Sequence, residues 1–189
     1  MSFIIRKYRP EDKEQVRNIC IVNAELEDDD KDVRDFILLM FCDYYIECEP
    51  ENCFVAVDDG DVPFGYIYGA ADYDTYAERF MRDYYPRIAA ISRRRADEAT
   101  VEMNDHGIYK DKYPAHFHID ILPGHRGSGV GSLLIESFYM NLAEKGCRGA
   151  MMICGSDNYG AQRFYSRNGL KVLHEKDSGT AMGKECIVK

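Results

Sequence analysis

Residues 119–132 run Ile-Asp-Ile-Leu-Pro-Gly-His-Arg-Gly-Ser-Gly-Val-Gly-Ser, and they narrow the choice of fold more than any other stretch. Phe117, Ile119, Ile121 and Leu122 suit a buried strand. Beyond the turn, Val130, Leu133, Leu134, Phe138 and Leu142 recur at helical spacing. Between strand and helix, Gly127, Gly129 and Gly131 remove side chains where backbone N–H groups can converge on an anion. Arg126 adds a fixed charge beside them. A strand, a glycine-rich turn and a helix entered through bare backbone make a seat for a diphosphate.

Three phosphate-binding turns compete for that description. A P-loop requires a lysine after its last glycine, and Gly129-Val130-Gly131 has none. A dinucleotide fold places G-x-G-x-x-G in its first strand–helix unit, whereas this run is G-x-G-x-G and lies deep in the chain. The third pattern, R-x-x-G-x-G, fits residues 126–131. One helix and one strand later, residues 158–170 read Asn-Tyr-Gly-Ala-Gln-Arg-Phe-Tyr-Ser-Arg-Asn-Gly-Leu, matching N-x-x-A-x-x-F-Y-x-x-x-G-[FL].

On these two motifs, in this order, the chain resembles the GCN5-related N-acetyltransferase (GNAT) family. The resemblance implies an α/β (α+β) fold with a mixed central sheet splayed between its fourth and fifth strands and flanked by helices. It implies acetyl-CoA as co-substrate, its diphosphate on Arg126, Gly127, Ser128, Gly129, Val130, Gly131 and Ser132. Its pantetheine arm would run along Ile119, Ile121 and Leu122, with the N–H of Ile121 or a neighbour facing the thioester oxygen. Asn158 matches a coenzyme-contacting position and also suits a helix N-cap. Tyr165 matches the position whose hydroxyl serves the leaving sulfur. Residues 113–123 are also similar to the acetyltransferase-like domain found with O-GlcNAcases, a reminder that such a fold can persist without catalysis.

The base is less constrained. His116, His118 and Asp120 alternate on one face of their strand, a face able to relay a proton through water or to be tied up in hydrogen bonds to Asp120. Asp120 and His118 join Tyr165 as the catalytic candidates, with Asp72, Glu102 and His106 further afield. His-x-His lacks an evident third ligand, so no metal is expected.

The rest of the chain is consistent with one domain over residues 1–189. A strand at 3–8, a helix at about 11–24, an acidic break at 27–30 and a second helix at about 32–48 come first. Strands at 53–57 and 64–70 follow, joined by an Asp-Asp-Gly-Asp turn. Residues 73–113 form a long, tyrosine-rich insertion with helical patches at 75–85 and 87–99, Pro86 breaking any single long helix. It is read either as a structural flap or dimer contact, or as a wall of the acceptor pocket. Strands at 149–154, 171–174 and 184–188 complete the sheet.

A formal net charge of −9 argues against nucleic acid and suits a cationic acceptor, though solubility alone also accounts for it. No apolar run reaches the ~20 residues of a membrane span, and the start lacks signal-peptide form. Seven cysteines without C-x-x-C spacing suit reduced thiols in the cytoplasm. The expected activity is direct transfer of acetyl to a primary amine of a small molecule or peptide, with a homo-oligomer left open. The alternative is a noncatalytic acyl-CoA-binding module.

Overall fold

The computed structural model describes residues 2–26, 30–176 and 179–187. Its frame is a seven-stranded sheet in the order β1-β2-β3-β4-β5-β7-β6. β1 (Ile4–Lys7), β2 (Phe54–Val57), β3 (Pro63–Ala70) and β4 (Ala115–Ile121) form an antiparallel meander. β5 (Gly149–Cys154) joins β4 in parallel, then pairs antiparallel with β7 (Gly179–Glu185), which carries β6 (Lys171–Lys176) at the edge.

All eight residues of β3 are buried, so it reads as a continuous apolar run whose alternate side chains serve opposite faces. Tyr66 and Tyr68 enter one core with α1 (Lys13–Asn23), α2 (Lys31–Leu38) and α3 (Tyr44–Cys48). Ile67 enters the other with α7 (Val130–Glu144) and α8 (Tyr159–Arg167). β4 divides likewise: Phe117, Ile119 and Ile121 pack on the α7 side, and His116, His118 and Asp120 turn to the α1 side.

A π-helical turn, Leu39–Asp43, joins α2 to α3, so the helix expected at 32–48 runs on with one widened turn. The acidic residues 27–29 lie outside the described residues. Asp30 is described: its carboxylate N-caps α2 by accepting from Asp32 N at 2.8 Å.

Two sequence expectations need correction. Pro86 does not break the insertion helix. α4 (Tyr73–Arg79) passes through a π-helical turn, Phe80–Tyr84, into α5 (Tyr85–Ile91), where Pro86 occupies the opening turn and its missing N–H costs nothing. The break falls at Ser92, whose extended backbone (φ −162°, ψ 132°) precedes α6 (Arg93–Gly107). The last strand spans Gly179–Glu185 rather than 184–188, and Val188 lies outside the described residues. Its Gly-Thr-Ala-Met-Gly run has little strand propensity but fits a narrow slot. A Cβ on Gly179 would lie 2.8 Å from Ile153 Cγ2, and one on Gly183 would lie 3.0 Å from Leu173 Cδ1.

The insertion is a buttress. Tyr76, Phe80, Tyr84 and Ile88 are buried in the α1-side core, and the Tyr76 ring meets His116 edge-on with centroids 4.4 Å apart. Among the described residues no helix is long and apolar enough to cross a membrane.

Candidate active site

β4 and β5 stay together for only two residue pairs, Ala115↔Ala150 and His116↔Met151, and then part. Leu122 donates its N–H to Phe64 O at 2.9 Å. Antiparallel alternation therefore turns the N–H groups of Ile121 and Ile119 away from β3 and into the opening. Unpaired backbone of this kind is a standing demand for a polar partner. Leu122, by contrast, has its N–H already committed to Phe64 O.

At the head of the opening, the loop before α7 is pinned by His125, which stacks on Phe64 at 4.2 Å. Gly127 (φ 81°) and Gly129 (φ 87°) hold the left-handed backbone that glycine tolerates, and a Cβ on either would meet nothing within 4 Å. Gly129 is also the N-cap of α7 and offers no side chain, so the first N–H groups of a 15-residue helix stay open to a ligand. Ser128 Oγ donates to His125 O at 3.0 Å, and Ser132 N donates to Gly129 O at 3.1 Å. Val130 is buried beneath the turn.

Two motif residues sit differently from the expected picture. Gly131 is a packing glycine: a Cβ there would stand 2.8 Å from Phe164 Cζ and 3.3 Å from Ile121 Cδ1. Arg126 reaches back instead of over the turn. Its Nε donates to Ile121 O at 3.1 Å and an Nη donates to Asn23 Oδ1 at 2.5 Å, tying the loop to the end of α1. With the guanidinium held there, the turn itself presents glycine backbone. Asn158 caps α8, its Oδ1 accepting from Ala161 N at 3.0 Å.

Tyr165, on α8, is buried below the parted strands against Phe117 and Phe164. Burial raises its phenol pKa well above the usual value, and the negative charge of Asp120 raises it further. Asp120 and Tyr165 thus sense each other across β4.

Asp120 accepts a 2.5 Å hydrogen bond from the Tyr66 hydroxyl. Desolvation pushes its carboxyl up to about 6, although the Tyr66 bond and the nearby Arg126 charge pull it down. The histidines are not bonded to Asp120. The Tyr45 hydroxyl bridges both, at 3.0 Å from His116 Nε2 and 3.1 Å from His118 Nε2. Burial lowers His118 to about 3 and His116 well below its normal range, with the neighbouring His106 adding to both effects. Such rings are neutral and weakly basic.

Asp72 is spent as the N-cap of α4, accepting from Thr75 N and Oγ1 at 2.9 and 2.8 Å. His106 is buried behind His116, its Nδ1 2.9 Å from Glu102 O. Burial raises the Cys154 thiol, the reverse of what an acyl-accepting nucleophile needs. Among the described residues no group of three His, Cys, Asp or Glu is arranged to hold a metal ion.

A chamber of about 270 Å³ opens onto Asp120, His118 and Tyr66 from between α1 and α2, with Asn23, Ile37 and Phe41 in its walls. The insertion contributes none of its lining residues. Sequence reasoning missed Tyr66, Tyr45 and Phe41. The one available signal was that Tyr66 and Tyr68 share a face of β3.

Known proteins share this fold. The crystal structure of SsHAT superposes with a TM-score of 0.84 at 27% identity, over 98% of this chain and 99% of that one. The PaiA N-acetyltransferase from Thermoplasma acidophilum, solved in complex with coenzyme A, gives 0.61 at 16% over 98% and 99%. A GNAT superfamily phosphinothricin acetyltransferase from Sinorhizobium meliloti, in complex with AcCoA, gives 0.60 at 13% over 98% and 89%. The model of the acetyltransferase (GNAT) family matches residues 14–170, from the first turn of α1 through the end of the α8 motif. With the parted β4–β5 pair, the glycine cradle and the Asn158–Leu170 segment all inside that span, the chain belongs to the acetyltransferase (GNAT) family.

Proposed function

We propose that this protein is an acetyl-CoA-dependent N-acetyltransferase that moves the acetyl group directly onto a primary amine of a small molecule or peptide. The observation that carries the reading is the parting of β4 from β5 after His116, with bare N–H groups in the gap and ionisable side chains on both sides of it. The coenzyme fits the residues present: the cradle at Gly127 and Gly129 is open where Cβ atoms would stand, and the free strand edge suits an amide-bearing arm. Once bound, acetyl-CoA supplies the activated acetyl group.

Asp120 is the base in this reading. A protonated amine of ordinary pKa ~10.4 cannot attack until it gives up a proton. The Asp120 carboxylate, ionised above about pH 6, takes one from the ammonium and passes it to solvent. His118 is too weakly basic for that task and instead helps wall the chamber. As the nitrogen bonds to the acetyl carbon, the N–H of Ile121 stabilises the carbonyl oxygen that gains charge. As the carbon–sulfur bond breaks, the leaving sulfur takes up the second nitrogen proton while the Tyr165 hydroxyl donates a hydrogen bond to it. Because Tyr165 holds its own proton so firmly, it acts chiefly as a hydrogen-bond donor to the sulfur. One acetyl group and one N–C bond are gained, one C–S bond is lost, and a free thiol and one solvent proton balance the sum.

Seven unpaired cysteines favour a reducing, cytoplasmic setting. Thiol release from acetyl-CoA on a panel of amines tests the assignment. Tyr165→Phe is expected to lower kcat by about 10²-fold or more while coenzyme A affinity holds. Tight coenzyme binding with no thiol release on any amine would favour a binding module instead.

A further inference from the structure

Resting on that reading, the chamber in front of Asp120 restricts which amine can enter. Its volume of about 270 Å³ falls just under the ~300–1,000 Å³ usual for drug-sized ligands. Among its described lining residues Asp120 carries the only formal charge, since His118 is neutral and has Nε2 committed to Tyr45. Among the described residues no lysine or arginine lines it; the neighbouring Arg126 guanidinium is already bonded to Asn23 and Ile121 O. Among the described residues Asp120 makes no ion pair, its one side-chain partner being the Tyr66 hydroxyl. A half-buried carboxylate without an ion-pair partner among the described residues, in a chamber also lined by Tyr66 and Phe41, is a place for one ammonium group.

Apart from Asn23, the remaining wall is largely apolar. Ile37 comes from α2 and Phe41 from the π-helical turn, where the Phe41 carbonyl is clamped by the Tyr68 hydroxyl at 2.6 Å. Phe41 in turn packs edge-on against His118, with centroids 5.6 Å apart. The widened turn thus fixes one aromatic side chain opposite the carboxylate.

We propose that this chamber selects a compact monoamine whose body is uncharged and aromatic or branched-aliphatic, with its nitrogen on Asp120 and its body against Phe41 and Ile37. A polyamine would bring a second ammonium, and among the described lining residues there is no second acid to meet it. An amino acid would bring a carboxylate with no cation in the walls. A peptide lysine would need a long apolar stem channel and a surface groove, and the space is too small for the backbone that follows.

Steady-state assays with acetyl-CoA decide the matter, using 2-phenylethylamine, isopentylamine, L-phenylalanine, spermidine and a blocked lysine tripeptide. The two monoamines should exceed the other three in kcat/KM by at least about tenfold. Equal or better turnover of phenylalanine, spermidine or the peptide overturns the chamber assignment and leaves the transferase reading standing. Absence of turnover on every amine, with coenzyme A still bound, overturns both. Phe41→Ala supplies a second arm: the KM for 2-phenylethylamine should rise about tenfold while the KM for acetyl-CoA stays put. An unchanged amine KM, or an equal rise in both constants, counts against the assignment.

Discussion

Asp120→Asn should make the protein more stable at neutral pH while abolishing the proposed proton transfer. The folded chain raises the Asp120 carboxyl from 3.8 to about 6, chiefly by desolvation. For an acid whose folded pKa lies above its unfolded value, stability is fully present below the unfolded pKa and is lost as pH rises through the folded one. The shift of about 2 pKa units corresponds to an upper limit of about 3 kcal/mol, all of it lost by about pH 7.5. Asn keeps the shape and can still accept from the Tyr66 hydroxyl, but it carries no charge to desolvate. Urea unfolding of wild type and Asp120→Asn should therefore differ by up to about 3 kcal/mol near pH 7.5 and by only about 0.5 kcal/mol near pH 4. At about 2–4 °C per kcal/mol for a chain of this size, thermal unfolding at neutral pH should shift upward by roughly 6–10 °C. A variant that is less stable than wild type near pH 7.5, or whose advantage is the same at both pH values, would refute the idea that a strained carboxylate sits at the chamber floor.

Gly131→Ala should cost about 1–3 kcal/mol by overpacking, because its Cβ would press on Phe164 Cζ at 2.8 Å; denaturant unfolding checks this. Gly129→Glu faces open space, so folding should suffer only the ~1–2 kcal/mol of left-handed backbone, while coenzyme A affinity measured by calorimetry falls steeply through added negative charge. Tyr45→Phe leaves two histidine nitrogens without their shared partner and should lower stability by about 1–3 kcal/mol, read as a lower urea midpoint.

What the sequence made legible was local. The strand, glycine turn and helix at 115–144 depend on residues adjacent in the chain, and so does the Asn158 cap of α8. The parting of β4 from β5 came only through resemblance, since no residue type marks where two strands separate. The chemistry of the β4 face was half readable. Alternation put His116, His118 and Asp120 on one side, but their partners, Tyr45 and Tyr66, come from elements 54 to 73 residues away. Hence one of the two readings of that face tied the histidines to Asp120, the nearest acid in sequence, when a tyrosine holds them. β7 was misplaced for a related reason. Glycine, threonine and alanine look like a turn until their neighbours are known, and the slot between β5 and β6 is a property of those neighbours. Pro86 misled because a proline is a breaker only relative to the hydrogen bond it interrupts, and the π-helical turn before it had already reset that pattern.

The insertion gains a purpose from the same facts. A carboxylate with a raised pKa requires a dry surrounding, and β4 has lost half of its own support where β5 leaves it. On the α7 side Phe117 and Tyr165 fill in behind the strand. On the other side the filling begins with the Tyr45 hydroxyl gripping His116 and His118, and Tyr45 is itself stacked on Tyr68 at 5.2 Å and on Tyr76 at 6.0 Å. Tyr76 belongs to α4, the first helix of the insertion, and Phe80 and Tyr84 continue the stack outward. The insertion at 73–113 therefore acts at a distance: it packs over the His116 end of the His face, where the parallel partner of β4 departs. Asp120 lies two residues beyond His118 on that braced strand. Its desolvation, and with it the poise of the proposed base, draws on packing behind the strand as well as on the walls of the chamber.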